Sequence, residues 1–362
     1  MSERFLVLGN SSDGLYGFRK ELLEALVQKG EVWASVPDNG WFTELEEQGC
    51  HVVETHIDRR GINPVTDLKL LLRYIRVIWE LKPTRVITYT IKPNIYGGLA
   101  CQLYRVPYAV NITGLGTTFQ KSGLLRIIVT ILYKMAVHGA DVVFFENQSN
   151  MQTLLDMKIV RRRQCRLLKG AGINLEKYRP VDYPHEKEMT RFLFIGRVMA
   201  EKGVEELFAA VERLISEGFR CELDVLGYYE ENYKETIESC IKQGWLHYHG
   251  YQKDVRPFIE QAHCFVLPSW HEGMANTNLE CASMGRPIIT SNIPGCKEAV
   301  IENVSGLLCQ PKNTDSLYDA MVRFLSLSRE QREAMGQAGR KHMEAVFDKQ
   351  KVVDQTIKGL GL

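Results

Sequence analysis

The chain has 362 residues, of which 45% are hydrophobic and 25% charged, and its formal net charge at pH 7 is +1. This composition is typical of a soluble globular protein, and the length suits two domains. Because the net charge is close to zero, the whole protein does not have the strong positive potential that attracts nucleic acid. The charge is unevenly divided, because residues 1–180 hold 24 Lys and Arg against 17 Asp and Glu, whereas the remainder holds 21 against 27. The first half is therefore expected to meet an anionic partner.

The nine cysteines form no C-x-x-C pair, which predicts free thiols in a reducing compartment. The first residues, MSERFLVLGN, enter a strand-like run at once, so no signal peptide is expected. No stretch reaches about 18 consecutive apolar residues, so no transmembrane helix is expected.

Short apolar runs alternate with amphipathic stretches in the first half of the chain. The apolar runs predict strands at 4–9, 32–36, 85–89, 108–112 and 142–145. A polar loop is expected at 10–17, and helical spacing of apolar residues predicts helices at 18–29 and 68–81. This alternation favours a parallel sheet covered by helices on both faces.

A glycine-rich stretch closed by proline, 169–180, predicts a linker that runs to about residue 190. A second series follows, with strands predicted at 191–195, 221–226, 264–267 and 287–290, and helices at 204–217, 277–284 and 315–327. We therefore predict an α/β protein of two Rossmann-like domains, 1–175 and 176–345, with a C-terminal helix, 346–362, packed back on the first. Ligands are expected in the cleft that the carboxyl ends of the two sheets face.

The segment 269–289, SWHEGMANTNLECASMGRPII, carries the strongest functional pattern. Glu272 lies on a loop after a predicted strand, and Glu280 follows on a short helix with seven residues between the two. The start of such a helix offers free N–H groups and a positive dipole end to a diphosphate or a sugar hydroxyl. A carboxylate on the helix can accept hydrogen bonds from both vicinal hydroxyls of a ribose. Two glutamates at this spacing are by themselves more typical of solvated acids, but the surrounding Ser, Gly, Asn and Met-Gly-Arg-Pro favour a site.

This segment resembles the E-x7-E signature of retaining glycosyltransferases, especially glycosyltransferase family four. The loop formed by Gly196, Arg197, Glu201, Lys202 and Gly203 resembles that family's G-R-x-x-x-E-K-G loop. Further similar segments are 169–174, 293–299 (IPGCKEA) and 306–311 (GLLCQP). The first half resembles a narrower branch, the transferases of bacterial capsule, O-antigen and lipid-linked oligosaccharide assembly. The segments that carry this likeness are 14–20 (GLYGFRK), 91–98 (IKPNIYGG) and 111–119 (NITGLGTTF).

The resemblance implies a GT-B fold and assigns roles to individual residues. Arg197 and Lys202 would stabilise the charge that develops on the departing nucleotide diphosphate. Glu272 would lie near the hydroxyls of the transferred sugar, and Glu280 would bind the ribose. The remaining donor contacts would come from Gly14, Thr113, Gly273, Met274, Ala275, Asn276 and Thr277. Gly14 would allow close approach of a loop from the first domain to the diphosphate, although a simple turn explains a glycine there equally well.

The sequence contains no D-x-D, no H-E-x-x-H and no Cys/His cluster at metal spacing, so no metal cofactor is expected. Arg197 and Lys202 would do the work of a cation. Many members of the family carry a histidine where Thr113 stands here, so no histidine contact to the sugar can be named. Without a strong candidate nucleophile, front-face attack is favoured over double displacement as the route to retention.

The stretch 121–137 is apolar with Lys121, Arg126 and Lys134 interspersed, as in a helix that lies on a bilayer. Other basic residues of this half are Arg59, Arg60, Arg73, Arg76, Arg161, Arg162, Arg163 and Arg166. Together they could hold an anionic membrane or a polyprenyl diphosphate acceptor; the alternative is an internal helix with ordinary surface charge. The resemblance favours a lipid-linked saccharide acceptor and a cytoplasmic protein peripheral to the inner face of the cell membrane.

Three functions are compatible with these patterns. The leading one is a retaining transferase that moves a hexose or N-acetylhexosamine from a nucleotide sugar, UDP rather than GDP, to a lipid-linked saccharide. The second is a sugar-nucleotide epimerase of the same fold, which would need no acceptor. The third is a non-catalytic subunit that binds the nucleotide sugar without turnover, which the complete set of Arg197, Lys202, Glu272 and Glu280 argues against.

Overall fold

The computed structural model describes residues 3–59, 61, 63–115, 124–185 and 189–362, leaving out the side chains of 124–126. The chain falls into two units, the first made of Met1–Ala171 with Gln350–Leu362 and the second of Gly172–Lys349. The backbone therefore passes between the units twice, once near residue 171 and once near residue 349.

The first unit is built on a seven-stranded parallel sheet in the order β3-β2-β1-β4-β5-β6-β7. Its strands are β1 (Glu3–Leu8), β2 (Gly30–Val36), β3 (Cys50–Glu54), β4 (Arg85–Tyr89), β5 (Tyr108–Ile112), β6 (Val142–Phe145) and β7 (Cys165–Leu167). Every residue of β5 and β6 is buried, because helices cover both faces of the sheet.

The helices of the first unit are α1 (Ser12–Val27), α2 (Phe42–Glu47), α3 (Pro64–Leu81), α4 (Gly98–Tyr104), α5 (Leu124–His138) and α6 (Gln148–Asp156). The last helix of the chain, α13 (Lys349–Leu360), joins this unit from Gln350 onward. Its Val352, Val353 and Leu360 are buried in the same core as Phe144 of β6.

The second unit is built on a six-stranded parallel sheet in the order β10-β9-β8-β11-β12-β13. Its strands are β8 (Thr190–Ile195), β9 (Cys221–Leu226), β10 (Leu246–Gly250), β11 (Cys264–Leu267), β12 (Ile288–Ser291) and β13 (Gly306–Cys309). Its helices are α7 (Val204–Ser216), α8 (Lys234–Lys242), α9 (Arg256–Gln261), α10 (Asn276–Ser283), α11 (Thr314–Leu325) and α12 (Arg329–Val346). Both sheets have the Rossmann strand order, which confirms the predicted α/β fold class.

The start of α1 differs from the prediction. A polar loop was expected at 10–17 and a helix only from residue 18, whereas α1 begins at Ser12. Ser11 caps it, because its Oγ accepts a hydrogen bond of 3.0 Å from the N–H of Gly14, and Asp13 adds a negative charge to the first turn. These local interactions outweigh the low helix propensity of two glycines in the first turns.

Two predictions from composition can be compared with the structure. All nine cysteines are buried and free, as predicted. Within the described ranges, each helix is too short or too polar to cross a bilayer.

Candidate functional site

The second unit brings two of its loops together at the point where its strand order reverses. Strands β8 and β11 are paired side by side, and the chain leaves their carboxyl ends in opposite directions along the sheet. The segment after β8 contains a 3-10 turn at Ala200–Lys202, and the segment after β11 runs into α10. Crevices outside the carboxyl ends of strands at such a switch point are where open α/β sheets bind ligands.

Lys202 and Glu272 meet at this switch point as an ion pair between the two loops. Their side chains are only 18% and 12% exposed, so the pair is largely removed from water. Ser269 donates a second hydrogen bond of 2.8 Å to Glu272 Oε1. The backbone also joins the loops, since the Trp270 N–H donates to the Glu201 carbonyl at 2.9 Å. An ammonium has three donors, so Lys202 keeps the capacity to bind an anion beside Glu272.

Glycine at position 203 is required for the two loops to approach each other. Gly203 has a φ of +73°, in the left-handed region, and a Cβ there would lie 2.2 Å from the Pro268 carbonyl oxygen. Any side chain would therefore push apart the loops that carry Lys202 and Glu272.

The turn that contains Gly295 supports the Glu272 loop from the other side. A Cβ on Gly295 would lie 2.7 Å from the carbonyl oxygens of both Glu272 and Gly273. The Gly295 N–H donates to Glu298 Oε2 at 2.7 Å, and its carbonyl accepts from the Ala275 N–H at 2.7 Å. The N–H of Ala275 is thus engaged within the protein, so the expected free backbone donor at this residue is not there.

Asn276 and Thr277 occupy the first turn of α10 and are half-buried, whereas Met274 and Ala275 before them are buried. The Oδ1 atom of Asn276 is buried and makes no hydrogen bond among the described residues. An unsatisfied buried acceptor is costly, which is consistent with a polar ligand group at the start of this helix.

Arg197 does not join the Lys202–Glu272 pair but faces a different acid. Its Nη1 lies 3.4 Å from Glu230 Oε2, in the segment after β9, and its side chain is 35% exposed. Glu230 was not among the predicted site residues, because an isolated acid after a strand carries no distinctive pattern. The guanidinium remains open to solvent and can still turn towards an anion.

Glu280 lies on α10, near the phenol of Tyr178. Burial raises the pKa of Glu280 to about 7, whereas the nearby Tyr178 phenol and the charges of Lys177 and Lys349 act in the opposite direction. The side chain is half-buried rather than enclosed. Tyr178 belongs to the segment predicted as a linker, and nothing in its spacing pointed to this proximity.

Arg286, in the Met-Gly-Arg-Pro run, has a structural role. It is fully buried and donates hydrogen bonds to the carbonyls of Asp182 (2.8 Å), Ile259 (2.9 Å) and Glu260 (3.0 Å). Burial lowers its pKa to about 10. Arg286 therefore ties the segment before β8 to the end of α9.

Gly14 and Thr113 lie in the first unit, away in sequence from the residues above. Gly14 is in the first turn of α1, with its N–H bound to the Ser11 cap, and not in the expected loop. Thr113 is half-buried and directly follows β5. The structure thus groups the predicted residues in two sets, one in each unit.

Several predicted features fall outside the described residues. These are Arg60, Lys121, the side chain of Arg126 and the part of the 111–119 segment that follows residue 115. In the part of the chain that is described, no group of three or more His, Cys, Asp or Glu side chains is placed to hold a metal ion.

The sequence matches two protein families, one in each half of the chain. Residues 10–147 match the family described as glycosyl transferase 4-like, and residues 190–327 match glycosyl transferases group 1. The second match spans the switch point with Lys202, Glu272 and Glu280.

The chain is also similar to named bacterial enzymes. It is 27% identical over 335 residues to an N,N'-diacetylbacillosaminyl-diphospho-undecaprenol alpha-1,3-N-acetylgalactosaminyltransferase of Campylobacter jejuni, covering 88% of each chain. It is 23% identical over 282 residues to the UDP-Gal:alpha-D-GlcNAc-diphosphoundecaprenol alpha-1,3-galactosyltransferase of Escherichia coli, covering 73% of this chain and 72% of the other. Among solved structures, HepE of Anabaena in complex with UDP superimposes with a TM-score of 0.79 over 99% of both chains at 13% identity. That likeness concerns the fold.

Proposed function

Since the chain belongs to the glycosyltransferases, with a 4-like domain followed by a group 1 domain, we propose that it transfers a hexose or N-acetylhexosamine from a UDP-sugar to a lipid-linked saccharide in bacterial glycan assembly. The transfer retains the anomeric configuration. The observation that carries the proposal is the Lys202–Glu272 pair at the switch point of the second unit, followed by Glu280 on α10.

The chemistry of these residues supports a nucleotide-sugar donor. Lys202 and Arg197 neutralise the negative charge that builds up on the diphosphate as the sugar–phosphate bond breaks. Arg197 offers a planar fork to phosphate oxygens, and Lys202 a compact charge. Glu272 accepts hydrogen bonds from hydroxyls of the transferred sugar, and Glu280 accepts them from the ribose. Asn276, Thr277, Gly273 and Met274 complete the contacts at the start of α10.

No metal cofactor takes part in this mechanism. The two cations supply the charge that other transferases obtain from a divalent ion, and attack takes place on the face that the diphosphate leaves. Gly14 and Thr113 contribute from the first unit.

The names of two relatives support a lipid-linked acceptor. The enzymes of Campylobacter jejuni and Escherichia coli both carry an undecaprenol-linked diphosphate saccharide in their names, and the second also names UDP-Gal. The excess of basic residues in the first half of the chain suits an acceptor that bears a diphosphate.

An exposed surface on the first unit supports association with a membrane. Helix α4 contacts both α3 and α5, and all three present large apolar side chains to solvent. These are Val65, Leu68, Leu72 and Trp79 on α3, Leu103 and Tyr104 on α4, and Ile127, Ile128, Ile131 and Met135 on α5. Lys69 and Arg76 on α3, Lys134 on α5, and Arg105, which directly follows α4, are also exposed. Apolar patches with basic residues around them are suited to anionic lipid surfaces, and we place the protein at the cytoplasmic face of the cell membrane.

A panel of nucleotide sugars tests the function. Release of UDP or GDP is measured with and without a polyprenyl-diphosphate sugar as acceptor, each in the presence and absence of EDTA. The expected result is UDP release that requires the acceptor, is unaffected by EDTA, and yields an α-linked product. Conversion of the nucleotide sugar without acceptor would instead identify an epimerase, and UDP binding without any turnover would identify a binding subunit.

A further inference from the structure

A partly buried ion pair lies at the carboxyl edge of the first sheet, the edge at which α/β proteins bind ligands. Lys92 follows shortly after β4, and Asp67 lies in the first turn of α3. The Lys92 Nζ atom is 2.6 Å from Asp67 Oδ1, and the two side chains are only 14% and 18% exposed. An ammonium has three N–H donors, and within the described residues only Asp67 accepts from this one. Lys92 can therefore bind an anion while Asp67 holds it in place.

Thr90, two residues before Lys92, has a hydroxyl without a partner in the described part of the chain. Its φ is +70°, in the left-handed region that a β-branched residue rarely adopts. A threonine before a helical segment ordinarily caps a backbone N–H, but this Oγ1 atom is covered and makes no hydrogen bond among the described residues. Because the residue is only half-buried, rotation about χ1 can turn its hydroxyl towards a ligand. Strained backbone and unpaired hydroxyls are unfavourable in a free protein and are typical of ligand sites.

The surroundings of this pair are apolar and exposed. The chain after the lysine forms a π-helical turn, Pro93–Gly97, which contacts both α3 and α5. Large exposed apolar side chains lie near the starts of these two helices. They are Val65 and Leu68, on either side of the aspartate in α3, and Ile127 and Ile128 in the first turns of α5. The ammonium therefore lies at the rim of the exposed apolar surface.

A cation at the rim of an apolar surface suits a particular kind of anion. The phosphate groups of a lipid-linked saccharide lie where its hydrocarbon chain ends, so a protein site for them needs positive charge next to apolar side chains. A free phosphate or diphosphate gains nothing from apolar neighbours. The combination of Lys92 and its surroundings thus favours a diphosphate that carries a lipid.

We propose that Lys92 and Thr90 bind the diphosphate of a lipid-linked acceptor, whose hydrocarbon chain lies on the apolar starts of α3 and α5. This inference rests on the proposed function, in which the acceptor is a lipid-linked saccharide. The Lys92 ammonium donates a charge-assisted hydrogen bond to a phosphate oxygen, and the Thr90 hydroxyl donates a second one. Asp67 is a positioning residue that keeps the ammonium at this edge of the sheet.

The test measures binding of farnesyl diphosphate to the full chain by calorimetry, with saturating UDP present to occupy the donor site. The unmodified protein is expected to bind it at least about tenfold more tightly than inorganic pyrophosphate, because the prenyl chain adds apolar contact. Equal affinity for the two ligands would overturn the assignment to a lipid.

The double variant Lys92→Gln and Asp67→Asn removes both charges and leaves no unpaired carboxylate, so it should fold. It is expected to bind farnesyl diphosphate about tenfold more weakly, the effect of one lost hydrogen bond to a charged group. Asp67→Asn alone should bind about threefold more tightly, since a negative charge beside the phosphate is gone. If Asp67→Asn weakens binding as much as the double variant does, the pair has only a structural role and the proposal is wrong.

Thr90→Val removes the hydroxyl at nearly constant shape and should weaken binding of farnesyl diphosphate roughly threefold, whereas Thr90→Ser should restore it. Lys29→Gln is the control for loss of a positive charge, because Lys29 is exposed after α1, away from this edge of the sheet. It should bind like the unmodified protein. Normal binding by both the double variant and Thr90→Val would overturn the site.

Transfer assays separate this inference from the proposed function. With a farnesyl-diphosphate N-acetylhexosamine as acceptor, the double variant should raise the KM for the acceptor and leave the KM for the UDP-sugar unchanged. If the unmodified protein transfers sugar to this acceptor and the double variant does so with the same KM, only the inference about Lys92 fails. If the unmodified protein transfers sugar to no lipid-linked acceptor, the proposed function fails and the inference fails with it.

Discussion

At the scale of single residues, the ion pair of Lys202 and Glu272 joins charges from two loops where little water reaches them. Electrostatic interactions are stronger in such surroundings than in bulk water, and an unpaired charge is correspondingly costly. Lys202 is therefore held in place before any donor binds. Under the proposed function, an anionic diphosphate bound beside Lys202 would therefore meet a cation that needs no reorganisation.

Lys202→Ala is expected to lower kcat/KM by about two orders of magnitude, the cost of losing one fixed group that stabilises charge in a transition state. The unpaired Glu272 should also lower the melting temperature. Lys312→Ala is the control, because Lys312 is exposed and its ammonium lies over the ring of Trp270, 4.3 Å from the centroid, next to the same loop. Steady-state kinetics and thermal melts compare the two, and near-normal kinetics in folded Lys202→Ala would contradict the phosphate role.

Glu280 is a second acid of the candidate site, and its ionised form is unfavourable in the folded protein without a ligand. Burial raises its pKa to about 7 from the unperturbed value of 4.5, so the folded state disfavours the ionised form. The stability that the neutral form contributes is complete below about pH 4.5 and is lost as the pH rises through about 7. Functional sites commonly retain such unfavourable groups because the ligand satisfies them.

Glu280→Gln should therefore be more stable than the unmodified protein at pH 8, by at most about 3 kcal/mol, and nearly equal to it at pH 5. Thermal melts at the two pH values measure the difference. Glu176→Gln, at an exposed acid two residues before Tyr178, provides the control and should show no such pH dependence. A Glu280→Gln variant less stable at pH 8 than at pH 5, relative to the parent, would show that the carboxylate is stabilising.

At the scale of elements, close contact between loops decides the geometry of the site. Gly203 allows the loop after β8 to contact the loop after β11, and the Gly295 turn supports the same loop. Helix α10 is held from beneath, since the buried Asn278 Nδ2 donates to Thr290 Oγ1 of β12 at 3.2 Å. The start of α10 is thus fixed by the sheet and by two turns.

Gly203→Ala should lower both stability and kcat/KM, because a methyl group must displace the Pro268 carbonyl at 2.2 Å in addition to adopting a left-handed conformation. Gly218→Ala measures the cost of the left-handed backbone conformation alone. Gly218 has a φ of +89°, and a Cβ there would meet no atom within 4 Å beyond its chain neighbours. Gly218→Ala is expected to cost about 1–2 kcal/mol with unchanged kinetics. Equal effects of the two substitutions on stability and activity would mean that the loop contact is unimportant.

At the scale of the whole molecule, the two units differ in the kind of side chain that they present. The second unit holds the acids and cations of the proposed donor site, whereas the first unit exposes large apolar side chains on α3, α4 and α5. The difference matches the charge division of the sequence, with its positive first half and negative second half. Such a division suits a protein that takes a soluble donor and an acceptor embedded in a membrane.

The double variant Ile128→Glu and Ile131→Glu should abolish co-sedimentation with anionic liposomes, because two carboxylates on α5 disfavour both insertion and the anionic surface. Ile241→Glu is the control, since Ile241 is similarly exposed but lies on α8 of the second unit. Binding of the unmodified protein should weaken with added salt. Equal binding to anionic and neutral liposomes at low salt would rule out the membrane role of the basic residues.

Local patterns were sufficient for most of the strands, although the short strands β3 and β7 were not predicted. Strands β4, β5, β6, β9 and β11 have the predicted bounds, because each is a short, mainly apolar and largely buried segment. The prediction failed at α1, where the cap at Ser11 starts a helix through glycines that indicated a loop. It also missed Glu230, whose partner Arg197 lies in a different loop.

The amino-acid sequence alone determined the fold class, the family likeness and the position of Glu272, Glu280, Arg197 and Lys202, because apolar periodicity and motif spacing are properties of neighbouring residues. Only the tertiary structure decided which of these groups touch. It paired Lys202 with Glu272 and turned Arg197 to Glu230. The physical reason is that burial and charge interactions act between side chains that folding brings together, whatever their separation along the chain.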